Sequence, residues 1–405
     1  MQEIQQFIKE NYPRTLRHHT ENEGSIVGLP HPYNVSGLKN IFREMYYWGT
    51  YFTNVGLLAS GQVTQAKNNV DNLLYLADTY GFVPNCNNLN NITKRRSQPP
   101  FLYQAVKDVY AHIKDDAWLD YAYTVIAKEY DFWQTERLAP NGLNFYGNYS
   151  SLTDEGRSWI LHDYRRRTEG KVTVDTADAD RLAHTTLMLW ESGWDFTSRF
   201  QLDGEYYNPV CLNALLYGLE TTMAEFSRLL HKEEDALWQD RAQQRRDKMD
   251  ALMWDEKAGV YTDWNFKDEH LSPVHSVASL YPMFVGLSKD VEGERALLEK
   301  LMVPYGVAAT VEQDYAYIYQ WDYPAVWPPL QYIVYVGCLN YGMTDEATSI
   351  RDRYVAAVET AFKETQMLWE KYDGITAKPF DIEYPAQPLM GWTAQLYQFF
   401  KTMEE

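Results

Sequence analysis

Apolar residues recur at helical spacing along almost the whole chain, and this periodicity constrains the fold more than any other feature of the sequence. Between residues 52 and 80, for example, Val55, Leu58, Val63, Ala66 and Val70 follow the spacing of one helix face. Similar patterns predict helices over residues 1–11, 52–80, 101–112, 117–136, 181–190, 212–230, 234–253, 276–285, 293–301, 330–339, 344–368 and 392–400. Strand-like alternation is scarce and no Pro-, Ser- or Gly-rich linker divides the chain, so the sequence predicts an all-α protein with a single domain over residues 1–405.

The residues at the helix ends narrow the fold class. Residues 252–265 (LMWDEKAGVYTDWN) and 367–380 (MLWEKYDGITAKPF) each combine an apolar helix end, a Gly turn and a short extended piece, and residues 137–148 do so more loosely. This pattern indicates helical hairpins joined by reversing loops. About twelve helices in one domain favour an (α/α)6 toroid, the six-hairpin barrel, whose loops gather around a pocket at one end.

The charge of the chain excludes some classes of partner. The formal net charge is −19, and a nucleic-acid-binding protein needs a basic face to bind a polyanion. An anionic membrane surface is disfavoured for the same reason, and no window of 18 apolar residues is present to span a bilayer. We therefore expect neither a nucleic acid nor a membrane as partner, and read the charge as a source of solubility.

The cysteines and the N-terminus bear on cellular location. Cys86, Cys211 and Cys338 are far apart and odd in number, which argues against a disulfide framework and fits a reducing compartment. The first residues, MQEIQQFIKENYPR, lack the basic and apolar regions of a signal peptide. These observations predict a cytoplasmic enzyme.

Five segments do not resemble helix filler because most of them mix aromatic rings with Asp, Glu, Arg, Asn or Gln. They are residues 42–52 (FREMYYWGTYF), 84–100 (PNCNNLNNITKRRSQPP), 191–200 (ESGWDFTSRF), 320–330 (QWDYPAVWPPL) and 383–393 (EYPAQPLMGWT). Such a mixture suits a polyhydroxylated ligand, since rings stack on C–H faces while charged and amide groups bind hydroxyls. The alternative is that these groups are ion-paired supports of the loops.

Four of these segments resemble the motifs of α,α-trehalases, glycoside hydrolase family 37. SGLKNIFREMYYWGTYF is similar to the first family signature, PGGRFxExYxWDxY, and QWDYPAVWPP to the second, QWDxPxxWxP. ESGWDFTSRF is similar to the stretch that holds the general acid, SGWDxSSRW, and EYPAQPLMGWT to the stretch that holds the base, EYPxQxGFGWTN. The motifs follow one another in the family's order, and the resemblance spans almost the whole chain.

The resemblance implies a role for individual residues. Asp195 matches the general acid and Glu383 the general base. The remaining matches imply contacts with the sugar: Phe42, Arg43, Tyr47, Trp48, Asn85, Arg96, Gln98, Arg167, Glu169, Trp321, Asp322 and Trp327, of which Arg167 and Glu169 align loosely with an RPE loop.

The residue types also suit this chemistry by themselves. Inverting glycoside hydrolysis needs one protonated carboxylic acid to protonate the leaving oxygen and one carboxylate to activate water on the opposite face. Asp195 lies between Trp194 and Phe196, an apolar setting that favours a raised pKa and a protonated acid. Glu383 lies between Ile382 and Tyr384, in a partly apolar loop.

The sequence departs from the family pattern in three places. Gly49 stands where the first signature has an Asp that contacts outer hydroxyls of the bound glucose. The PGG before that signature is replaced by SGL and KNI, and AKPFDI stands where most trehalases have a glycine-rich loop that helps to close the pocket. These departures bear on which sugar is bound.

The sequence thus predicts an inverting hydrolase that acts on a small-molecule sugar, α,α-trehalose. Two alternatives remain: a related inverting hydrolase of a glucosylglycerate or mannosylglycerate, and a catalytically weak sugar-binding relative. No cofactor is expected. No metal site is expected either, because the nine histidines form no HExxH motif and the Asp175, Asp178 and Asp180 cluster lacks the Gly and distal Glu of a calcium loop.

Overall fold

A computed structural model describes residues 2–38, 42–147 and 152–404 of the chain. The helices are α1 (Gln2–Asn11), α2 (Tyr47–Ala59), α3 (Val63–Tyr80), α4 (Leu89–Thr93), α5 (Leu102–Ile113), α6 (Asp116–Glu136), α7 (Asp154–Arg167), α8 (Ala179–Ser192), α9 (Val210–Leu229), α10 (Asp235–Leu252), α11 (Tyr281–Phe284), α12 (Val291–Leu301), α13 (Pro328–Asn340), α14 (Thr344–Thr365) and α15 (Trp392–Thr402). Within these ranges, no helix is both long and apolar enough to cross a membrane.

The inner helices form a closed ring. Helices α2, α5, α9, α11, α13 and α15 each pack against the next in this order, and α15 packs back onto α2. Helices α1, α3, α6, α10, α12 and α14 alternate with them along the chain and flank the ring. This arrangement confirms the prediction of an (α/α)6 toroid.

The burial of each helix follows from its composition. Twelve of the thirteen residues of α2 are buried, as expected for an inner helix that is apolar on all sides. Helix α14 instead buries one stripe, which includes Ile350, Tyr354, Val358 and Phe362, as expected for an outer helix. The ring closes tightly because Gly56 has no side chain: a Cβ there would lie 2.2 Å from the Gln395 backbone oxygen on α15. The buried apolar side chains form one cluster from Ile4 to Phe400.

Short antiparallel ladders fold the loops between helices. The strands are β1 (Leu16–Arg17), β2 (Tyr33–Asn34), β3 (Tyr207–Asn208), β4 (Trp254–Asp255), β5 (Val260–Tyr261), β6 (Trp264–Asn265), β7 (His270–Leu271), β8 (Met302–Val303), β9 (Gly306–Val307), β10 (Ala325–Val326) and β11 (Tyr372–Asp373). They pair as β1–β2, β3–β6–β7, β4–β5, β8–β9 and β10–β11. The extended piece predicted after the Gly turn of residues 252–265 is confirmed, as β5 and β6. In residues 367–380 strand β11 precedes Gly374, and the piece after the turn pairs only at Pro379, through an isolated bridge to Tyr372.

Several helix boundaries differ from the periodicity. The single helix predicted over residues 52–80 is wrong, because Gly61 adopts a φ of +74° and separates α2 from α3. Apolar residues continue at helical spacing across this turn, so the periodicity alone cannot reveal the break. Helix α7 was not predicted, because its exposed face is highly charged and it buries only Ile160 and Asp163.

Candidate active site

The inner cavity is lined by residues from loops that lead into the inner helices and from the first turns of those helices. Its lining residues are Ser36, Phe42, Tyr46, Trp48, Gly49, Gln98, Gly193, Asp195, Trp321, Trp327, Glu370, Tyr384, Leu389 and Trp392. All five segments that the sequence singled out contribute to this lining, and only Ser36 and Glu370 come from elsewhere in the chain. The toroid therefore brings distant parts of the sequence to one site.

Tryptophan side chains form an apolar wall of the inner cavity. Trp321 and Trp327 stack with their ring centroids 3.6 Å apart and an interplanar angle of 4°. The Trp48 ring lies 5.7 Å from Trp321 and 6.1 Å from Trp392. Such a wall can hold the C–H face of a pyranose ring and keep water away from the carboxyl groups beside it.

Asp195 has the protonation behaviour that an acid needs. Burial raises the pKa of Asp195 to about 6, although the positive charges of Arg167, Arg96 and Lys371 act in the opposite direction. The carboxyl group also borders a second, outer cavity, lined by Tyr46, Asn85, Lys94, Arg96, Gln98, Leu152, Thr153, Glu155, Gly156, Trp159, Ile160, Arg167, Leu187 and Trp190 as well as Asp195. Asp195 thus lies at the junction of the two cavities.

Glu383 lies in a different setting from Asp195. It forms an ion pair with Arg167, and its backbone has a φ of +71°. It borders a side cavity with Glu169, Lys171 and Tyr317 and is not among the residues that line the inner cavity. The side-chain amide of Gln320 is oriented so that both its nitrogen and its oxygen have hydrogen-bond partners, and its nitrogen donates to Glu383 Oε2 at 2.6 Å.

Glu370 is a second carboxyl group in the inner cavity, and the sequence did not single it out. Its Oε1 accepts a hydrogen bond from the Tyr384 hydroxyl at 2.9 Å. Its Oε2 is buried and has no hydrogen-bond partner among the described residues. Burial raises the pKa of Glu370, while the adjacent Lys371 ammonium and the Tyr384 hydroxyl oppose this shift. An unpartnered carboxylate oxygen in a cavity is suited to binding a water or a sugar hydroxyl.

Lys371 links the segment that carries Glu370 to the loop that carries Glu383. It is fully buried, its Nζ lies 3.8 Å from the centre of the Tyr384 ring, and it donates to the Ile382 carbonyl at 3.3 Å. In the same orientation, the Gln320 side-chain oxygen accepts from Lys371 Nζ at 2.5 Å. This buried cation therefore fixes the loop that carries Tyr384 and Glu383 against the strand end that carries Glu370.

Most of the sugar-binding residues implied by the sequence reach a cavity. Phe42, Trp48, Gln98, Trp321 and Trp327 line the inner cavity, and Asn85, Arg96, Gln98 and Arg167 line the outer one. Arg96 lies with its guanidinium 4.9 Å from the centre of the Trp190 ring, and burial lowers the pKa of Arg96.

Four of the implied residues do not line the inner or the outer cavity. Arg43 is exposed and lies 3.8 Å from a Glu23 carboxylate oxygen, and Glu169 is exposed and pairs with Lys171 at 2.6 Å. The Tyr47 hydroxyl donates to the buried Glu129 at 2.6 Å. Asp322 accepts hydrogen bonds from Thr197 Oγ1 at 2.6 Å and from the Ser198 hydroxyl and amide. These contacts suit structural support more than contact with a ligand.

The two carboxyl groups of the inner cavity can share one proton. Glu370 is buried and Asp195 is partly exposed. The negative charge of Asp195 raises the pKa of Glu370, so the second ionisation of the pair is shifted to higher pH. Between its two macroscopic pKa values the pair holds one acid and one carboxylate. This is the combination that acid–base hydrolysis of a glycoside requires.

Comparison with known proteins places the chain in one family. The trehalase family model matches residues 1–403. A periplasmic trehalase of Xanthomonas oryzae is 35% identical over 94% of this chain and 70% of its own length, and one of Pseudomonas aeruginosa is 33% identical over 95% and 74%. The solved neutral trehalase of Saccharomyces cerevisiae is similar with a TM-score of 0.76 and 26% identity, over 92% of this chain and 74% of that one. A mannosylglycerate hydrolase of Thermus thermophilus shares the fold alone, with 15% identity and a TM-score of 0.65 over 98% and 100%.

The expected cytoplasmic location is wrong. The curated relatives from Xanthomonas oryzae and Pseudomonas aeruginosa are named periplasmic trehalases, which points to the periplasm. Cys86, Cys211 and Cys338 are buried and unbridged in the structure. A protein without disulfides is compatible with either compartment, so the cysteine pattern does not distinguish the periplasm from the cytoplasm.

Proposed function

The chain belongs to the trehalase family, and from this premise we propose that it hydrolyses α,α-trehalose to two molecules of glucose with inversion at the attacked carbon. The observation that carries this proposal is one cavity that is lined by two carboxyl groups, Asp195 and Glu370, beside a wall of tryptophans. A pure sugar-binding protein needs no acid and base, so this pair also argues against a catalytically weak binder.

Asp195 is the proposed general acid. It lies where the inner and outer cavities meet, which is where the oxygen between the two sugars would lie if one sugar filled each cavity. Burial raises the pKa of Asp195 to about 6, which increases its protonated fraction near neutral pH. Transfer of that proton to the bridging oxygen lets the outer glucose depart as a neutral alcohol.

Glu370 is the proposed general base. It shares the inner cavity with Asp195, and its unpartnered oxygen can accept a proton from a water that attacks the sugar. Glu383, which the family motif implies as the base, is neutralised by Arg167 and borders the side cavity. The assignment to Glu383 remains the sequence-based prediction, and substitution of each residue separates the two.

The substrate is tested by a screen of the purified protein on α,α-trehalose, glucosylglycerate and mannosylglycerate, with release of glucose or mannose as the readout. We expect trehalose to be hydrolysed with the highest kcat/KM. A higher kcat/KM for either glycerate glycoside would contradict the proposal and favour the alternative hydrolase.

Gly49→Asp is expected to raise kcat/KM for trehalose by about 10–100-fold, the value of one charge-assisted hydrogen bond to a sugar hydroxyl. A Cβ at position 49 meets only ordinary contacts, with Tyr46 Cβ at 3.7 Å, Ser36 Oγ at 3.8 Å and Trp392 Cε3 at 3.9 Å, so the backbone accepts a side chain here without a clash at Cβ. Neither Glu44 nor Asp322 lines the inner cavity to replace the missing carboxylate.

Steady-state kinetics of wild type, Gly49→Asp and the neutral control Gly49→Asn measure this effect. Asn adds nearly the same volume without charge, so a gain confined to Asp identifies the carboxylate as the cause. Lower trehalose activity in Gly49→Asp, with a gain in neither variant, would count against trehalose as the substrate.

A further inference from the structure

The outer cavity is much larger than the inner one and joins it at the acid. Its volume is about 760 Å³, against about 80 Å³ for the inner cavity, and the two share Tyr46, Gln98 and Asp195. Because Asp195 lies at the junction, a substrate that receives its proton there has its leaving group in the outer cavity. The residues that line the outer cavity therefore determine which leaving group is accepted.

Trp159 is the most exposed large aromatic side chain at this cavity. Its exposed fraction is 54%, whereas the neighbouring Ile160 is buried, with an exposed fraction of 3%. The Trp159 ring lies 5.8 Å from the ring of Trp190, which also lines the cavity, at an interplanar angle of 59°. Trp159 and Trp190 thus give this cavity an aromatic surface that the C–H face of a sugar ring can contact.

The surroundings of Trp159 leave room for a flat ring. Gly156 lies one helical turn earlier on the same face of α7 and lines the cavity without a side chain. Thr153 caps the start of the helix, with its Oγ1 accepting from the Gly156 amide at 3.1 Å, and an ion pair between Arg157 and Asp180 joins α7 to α8. Trp159 is therefore presented on a fixed helix.

We propose that Trp159 is the platform on which the departing sugar ring of the substrate stacks. The charged groups of Arg96, Lys94 and Glu155 also line this cavity and supply donors and an acceptor for the hydroxyls at the edge of that ring. The proposal rests on the proposed function, since it needs a disaccharide whose second ring fills the outer cavity. It identifies a residue that selects a pyranose leaving group over a small one.

The test compares two substrates that share a glycone and differ in the leaving group. Trp159→Ala is expected to lower kcat/KM for trehalose about 10-fold more than kcat/KM for α-D-glucopyranosyl fluoride, because the leaving group of the fluoride is a single atom. Most of the loss on trehalose should come from a higher KM. Trp159→Phe keeps an aromatic face and should retain most of the trehalose activity. Tyr121→Ala, which removes an exposed ring on α6 away from both cavities, is the matched control and should change neither substrate.

Equal losses on both substrates in Trp159→Ala would overturn the proposal and assign Trp159 a structural role in α7. An unchanged kcat/KM for trehalose would also overturn it. A binding measurement separates this proposal from the proposed function. Calorimetry of trehalose with the inactive Asp195→Asn variant should show binding about 10-fold weaker when Trp159→Ala is added. If the wild type does not hydrolyse trehalose but this difference is found, the proposed function fails and the platform stands; equal affinities overturn the platform.

Discussion

Asp195→Asn is expected to lower kcat/KM for trehalose by at least about 10²–10⁴-fold, because the leaving glucose would have to depart without a proton. The amide has nearly the same shape as the acid and cannot donate an acidic proton. On α-D-glucopyranosyl fluoride, whose leaving group needs little protonation, the loss should be far smaller. Steady-state kinetics on both substrates measure this difference, and circular dichroism checks that the variant is folded.

The base is identified by the same two substrates. Glu370→Gln should lose about 10²–10⁴-fold on both, because water must be activated whichever group leaves. Glu383→Gln, which keeps a polar partner for Arg167 and Gln320, should lose less than Glu370→Gln. Near-normal activity in Glu370→Gln together with an inactive Glu383→Gln would return the role of base to Glu383. Near-normal trehalose activity in Asp195→Asn would show that the acid is wrongly assigned.

Asp263→Ala is expected to lower the free energy of unfolding by about 3–5 kcal/mol, the usual cost of leaving a buried charge without its partner. Asp263 is 1% exposed and accepts from Arg199 Nε and Nη2, both at 2.6 Å, and from the Val210 amide at 2.8 Å. Arg199 follows Asp195 by four residues, is fully buried and packs on the rings of Trp194 and Phe200. The ion pair therefore fixes the segment that carries the acid.

Chemical denaturation of wild type and Asp263→Ala measures this cost. The matched control is Asp203→Ala, which breaks the partly exposed pair with Arg181 and should change stability by less than about 1 kcal/mol. A change of under about 1 kcal/mol in Asp263→Ala would show that the buried pair does not support this segment.

The fold could be predicted because periodicity reports which helix faces are buried, and the sequence carries this signal along its whole length. The six-hairpin ring follows from the number of helices in one chain and from the reversing loops at their ends. The turn at Gly61 could not be predicted, since apolar spacing continues through it and only the positive φ of the glycine separates the two helices.

The site was harder to predict than the fold, because a motif gives a residue's type and not the direction of its side chain. Trp48 and Tyr47 are adjacent in one motif, yet Trp48 lines the inner cavity while Tyr47 points into the core toward Glu129. Asp322 follows the cavity residue Trp321, yet its carboxylate accepts hydrogen bonds from the Thr197 and Ser198 hydroxyls and does not line the cavity.

Glu370 shows what the sequence could have signalled. It lies in MLWEKYDG, a segment whose pattern indicates only a helix end and a Gly turn. A Glu beside a Lys between apolar residues, where the surrounding loop is buried, is a costly arrangement, and such groups concentrate at functional sites. That signal was present, but only the structure brings Glu370 into the same cavity as Asp195.

The central claim, inverting hydrolysis of trehalose, is tested most directly by the anomers released in the first seconds of the reaction. Proton NMR of wild-type enzyme with α,α-trehalose, recorded faster than mutarotation, should show α-glucose and β-glucose in equal amounts. The attacked ring is released as the β anomer by inversion, and the leaving ring keeps its α configuration. Release of α-glucose alone would show retention and contradict the account.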